Sequence, residues 1–141
     1  MFGIIICIAA GAAMSIQGVM NTRLGESIGT SEANAFVQAT AAVLALGVLI
    51  FHRDGSFSAL GETNWLYMLG GVLGLVITVT VMLGIGALSP TVAISVILIS
   101  QLLVAALIDA FGLMGAERVS FGWTKFAGLA LMIGGVVVFK R

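Results

Sequence analysis

Residues 89–115 form the stretch that most constrains this chain. It starts beside Pro90, the sole proline, and runs for more than twenty residues without a basic side chain, yet it carries Ser95, Ser100, Gln101 and Asp109. A helix of about 20 apolar residues, rising ~1.5 Å each, crosses a hydrocarbon layer roughly 30 Å thick. The stretch therefore reads as a membrane-spanning helix, and its polar side chains need a partner or a purpose.

Composition extends that reading to the whole chain. Hydrophobic residues make up 60% and charged residues 9%, with 19 glycines among 141 residues, which places the chain with polytopic inner-membrane proteins rather than soluble domains. It reads as a single transmembrane domain over residues 1–141. The formal net charge is zero, and no basic run favours nucleic acid as a partner. Cys7 is the lone cysteine and His52 the lone histidine. An intrachain disulfide and a cysteine metal cluster are thereby excluded, and the single histidine argues against the usual zinc and Ser–His–Asp constellations. We expect no enzyme, no metal and no cofactor.

Five apolar spans follow in order, at about 2–20, 33–51, 65–88, 91–113 and 121–139. The fold expected is all-α, with five transmembrane helices per protomer. The first span has no basic residue before it and too long an apolar stretch for a signal peptide, so it counts as a helix. Residues 26–32 interrupt the apolar pattern, and Ser31 with Glu32 are placed to cap the second helix. Trp65, Tyr67 and Trp123 stand at span starts, where aromatic belts form.

Five spans put the termini on opposite faces of the membrane. Arg53, Arg118 and Lys125 then share the N-terminal side, against Arg23, Lys140 and Arg141 on the other. Because Lys/Arg bias beside the spans sets orientation, an even balance predicts insertion both ways and head-to-tail pairing. If Lys140 and Arg141 emerge too late to count, the N-terminal side faces inward instead. Inverted pairing also serves a need: five short helices enclose little space, and two inverted copies would reproduce the inverted repeats of larger transporters.

Within the first span, Gly3, Cys7, Gly11, Ser15 and Gly18 recur at spacings of four and three, one small-residue face suited to close helix packing. Gln17 and Asn21 share a neighbouring face, and Asn34 and Gln38 repeat the spacing in the second span. An amide left unpaired in hydrocarbon costs several kcal/mol, roughly 2–7, so each must meet another helix, water or a bound molecule. Thr78 and Thr80 are expected to bond to their own backbone. Gly70, Gly71 and Gly74 make the third span a close-packing element. Pro90 suits a first helical turn, so 88–90 reads as a tight link into the fourth span. Gln101 lies near the middle of that span; Asp109, eight residues on, is either a proton or cation site or an ion-pair partner of Arg118 or Lys125.

Gly11, Gln17, Asn21, Leu24-Gly25, Gly70-Gly71 with Gly74, Gln101-Leu102, Ile108-Asp109 with Phe111-Gly112, and Gly134-Gly135, in that order, resemble the YdcZ-like proteins. These small membrane proteins belong to the drug/metabolite transporter superfamily. The resemblance covers essentially the whole chain and implies a five-helix protomer in the bacterial inner membrane, paired as an antiparallel homodimer or with an oppositely oriented paralogue. It also implies kinship with small multidrug resistance transporters. Those carry an embedded glutamate in the first helix, whereas that span holds only the amides Gln17 and Asn21 here, so proton-coupled export of lipophilic cations does not transfer. An amide-lined path points to a polar or zwitterionic metabolite.

The function expected is thus a small-molecule transporter or facilitator working by alternating access. Gln17, Asn21, Gln38 and Gln101 would hydrogen-bond the substrate, Asp109 would tune charge at the mouth, and Gly11, Ser15, Gly18, Gly70 and Gly74 would pack helices. A passive dual-pore ion channel lined by the same amides and a non-transporting membrane assembly subunit are the alternatives; conductance or the absence of flux would distinguish them.

Overall fold

A computed structural model describes residues 1–119 and 122–139. They divide into two units, Met1–Gly86 and Ala87–Arg141. The first contains α1 (Phe2–Ile28), α2 (Thr30–Phe51) and α3 (Gly70–Ala87, whose last residue begins the second unit), with 3₁₀ turns at Phe57–Glu62 and Trp65–Leu69 between α2 and α3. The second contains α4 (Pro90–Phe111), a 3₁₀ turn at Leu113–Gly115 and α5 (Trp123–Phe139). No strand occurs among the described residues.

Four stretches are long and apolar enough to cross a membrane: Phe2–Ile28, Thr30–Phe51, Trp65–Ala87 and Pro90–Phe111. The fifth apolar helix, Trp123–Phe139, has 17 residues. The expected start of that span, Phe121, lies outside the described residues, as do Lys140 and Arg141.

The first helix differs from its expected span. Rather than ending near residue 20, α1 continues to Ile28, and only Gly29 separates it from α2. The polar segment 23–28 keeps the helix because its side chains bond along it: Ser27 Oγ donates to Arg23 O at 2.9 Å, and Arg23 pairs with Glu26 at 2.8 Å. The break falls where φ is +101° at Gly29, a region that side-chain-bearing residues avoid. A Cβ there would also collide with the Glu32 carboxylate. The expected capping of α2 by Ser31 and Glu32 does not form: the N-cap is Gly29, with no side-chain cap bond. Glu32 still lies in the first turn, where its charge complements the helix dipole.

Gly18 of α1 lies against α3: an added Cβ there would stand 2.9 Å from Ile85 Cδ1 and 3.2 Å from Val81 Cγ1. A Cβ added at Gly25 would stand 3.5 Å from Met82 Sδ. Because lipid removes the hydrophobic drive between helices, such van der Waals contact is what holds them, and a glycine permits it. Met82 and Ile85 are buried, 3% and 5% exposed.

In the second unit, α4 opens with Pro90 in its first turn and Ser89 as N-cap, its Oγ accepting from Val92 N at 3.4 Å. It closes at Gly112, in the left-handed region at φ +63°. The chain then turns back on the helix end. Val119 N donates to Asp109 O at 2.9 Å and Arg118 Nε donates to Ala110 O at 3.1 Å, so two carbonyls of the last turn gain donors from beyond the helix.

Candidate functional site in the membrane

Hydroxyls and amides in these spans behave differently. Ser15 donates to Gly11 O, Thr22 to Gly18 O, Thr40 to Phe36 O, Thr78 to Gly74 O, Thr80 to Val76 O, Ser95 to Thr91 O and Ser100 to Ile97 O, at 2.7 to 3.0 Å. A short hydroxyl reaches its own helix and needs nothing else. The amides make no such bond. Among the described residues, the side chains of Gln17, Asn21, Asn34, Gln38 and Gln101 form no hydrogen bond.

Three of the expected site residues belong to the first unit. Asn21 is buried, 9% exposed, on α1; Gln17, one turn earlier, is exposed; Gln38 is half-buried on α2. Asn34, 6% exposed, lies one turn before Gln38. The other two belong to the second unit. Gln101 is exposed on α4, and Asp109 is half-buried two turns further on.

Asp109 lines a cavity of about 290 Å³ between α4 and α5, together with Leu102, Ala105, Lys125, Gly128 and Met132. Among the described residues its carboxylate forms no salt bridge. Arg118, one of its two expected partners, is turned to the carbonyl of Ala110 instead. Capping competes with pairing here because the loop after Gly112 brings the guanidinium to the helix end.

Of the three glycines on the small-residue face of α1, Gly18 is the one that lies against another helix. Gly3 and Gly11 have open space where a Cβ would lie, Cys7 is exposed, and Ser15 is half-buried. Gly70, Gly71 and Gly74 are likewise open. Sequence reasoning missed the capping by Arg118, for which the glycines at 112 and 115 were the available signal. No group of three or more His, Cys, Asp or Glu is placed to hold a metal among the described residues.

The family model described as "Putative inner membrane exporter, YdcZ" matches residues 2–138. The chain belongs to this family. It is a multi-pass inner-membrane protein, in keeping with its four apolar helices of spanning length. Comparison with curated proteins and with solved structures returned no match.

Proposed function

We propose that this family member moves a small molecule across the inner membrane as an antiparallel, dual-topology homodimer, or with an oppositely oriented paralogue, each protomer contributing five transmembrane helices. The observation that carries the proposal is the contrast above: every cited hydroxyl is satisfied by its own helix, while the span amides have no hydrogen-bond partner among the described residues. Exposed Gln17 and Gln101 cannot face lipid without cost, so a second protomer, water or a substrate must meet them. The open glycines of α1 and α3 leave room for another helix to approach.

In this mechanism two identical chains adopt unlike conformations and exchange them, turning an outward-open dimer into an equivalent inward-open one. Gln17, Asn21, Gln38 and Gln101 hydrogen-bond a polar or zwitterionic metabolite during passage. Asp109 sets the charge at each mouth. Export is the direction that the family description supports.

The test is cysteine-accessibility mapping of both termini in intact cells, paired with flux in proteoliposomes. Each terminus reacting from both faces, together with saturable flux, is the expected result. A single orientation with no inverted partner refutes the dimer. Conductance in a planar bilayer makes the protein a channel, and purified protein with no flux makes it an assembly subunit.

A further inference from the structure

We infer that the corner between α1 and α2 is a binding site for an uncharged hydrogen-bond donor, a hydroxyl or amide N–H of a small polar molecule, with Asn34 as its acceptor. Asn34 is 6% exposed, and its Oδ1 is the side-chain atom that, among the described residues, is both hidden from solvent and without a partner. A buried carbonyl oxygen in that state is retained against a standing cost, and what relieves it is a donor. Asn21, 9% exposed, is a second buried amide on α1, eight residues or about 12 Å along the axis before the break at Gly29. The hydroxyl of Thr22 is already committed to Gly18 O at 2.7 Å, so the unmet capacity rests with the amides.

The buried set fixes the ligand's charge. No ionised side chain is buried among the described residues; Arg23 and Glu26 pair with each other in the open, 75% and 49% exposed. Glu32 is exposed and already complements the N-terminal dipole of α2, so that helix end has its negative charge. A charged group at Asn34 would find no buried counter-charge among the described residues, whereas a neutral donor completes the bond at little desolvation cost. For its role in flux the inference rests on the transport reading; the site itself stands on the corner alone.

The experiment uses the full chain with Cys7→Ser and Asn34→Cys, reconstituted in vesicles. It compares labelling by hydroxyethyl methanethiosulfonate with labelling by its trimethylammonium analogue. The neutral reagent should react more than about tenfold faster, given the cost of a charge in such a place. Equal rates, or a faster cation, overturn the neutral class; no labelling by either overturns the site. The companion variant is Asn34→Leu, tested for entry of glycerol and urea into vesicles and for its unfolding midpoint. Loss of entry with an unchanged or higher midpoint supports the site, because an unpartnered acceptor has been removed. Wild-type entry with a lowered midpoint makes Asn34 structural and overturns it. Selective labelling without flux of any solute refutes transport while keeping the site.

Discussion

If two copies pair in opposite orientations through the open face of α1, the single natural cysteine should fail to crosslink, and one added cysteine should restore crosslinking. Antiparallel chains share one bilayer midplane, so their first helices cross near the middle of the uncharged part of α1, which ends before Arg23, at about Gly11. Gly11 has open space where a Cβ would lie. Cys7 precedes it by four residues, about 6 Å along the axis at ~1.5 Å per residue. The two Cys7 residues of a dimer therefore stand about 12 Å apart along the axis, beyond the ~7 Å between Cα atoms that a disulfide tolerates. Residue 15 of one copy, by the same arithmetic, falls opposite residue 7 of the other. Copper–phenanthroline oxidation in native membranes should leave the wild type monomeric on a non-reducing gel. Ser15→Cys should give a dimer, and Ser15→Cys with Cys7→Ser should return to monomer. Efficient crosslinking of wild-type Cys7 would refute the antiparallel geometry, since it requires the two N-terminal ends side by side. No crosslink in any variant would remove this face from the interface. Ser15 loses only its 3.0 Å bond to Gly11 O in the exchange, so the variant should fold.

Adding two or three lysines on one side should lock the orientation and abolish flux unless an oppositely locked copy is co-expressed; undiminished flux from the locked chain alone would sink the dimer. Gln101→Leu should abolish flux while the dimer persists on size exclusion, because an exposed mid-span amide is lost without removing a packed side chain. Gly18→Val should destabilise the first unit by about 1–3 kcal/mol through overpacking against Ile85 and Val81. Gly18→Ala should cost far less, since the nearest atom is the mobile end of Ile85; unfolding midpoints of the two variants decide this. Asp109→Asn should change the pH profile of flux, and an unaltered profile would deny Asp109 a proton-carrying role. Arg118→Gln should lower stability by about 0.5–1.5 kcal/mol, the worth of a capping bond, without altering substrate preference.

The linear chain by itself determined what depends on neighbours within a turn or two. Apolar length set the spans, Pro90 and Ser89 set the start of α4, and Thr78 and Thr80 bond to their own backbone as their short hydroxyls require. Tertiary structure alone decided which side chains are hidden. These helices are apolar all round, so no stripe marks the face that meets a neighbour, and spacing alone could not separate buried Asn21 from exposed Gln17. Spacing likewise set Gly18 and Gly11 on one face, yet only Gly18 meets α3. The one-residue corner at Gly29 and the diversion of Arg118 to Ala110 O have the same origin. Both depend on where the chain goes after a left-handed or positive-φ glycine, a long-range outcome that local pattern does not encode.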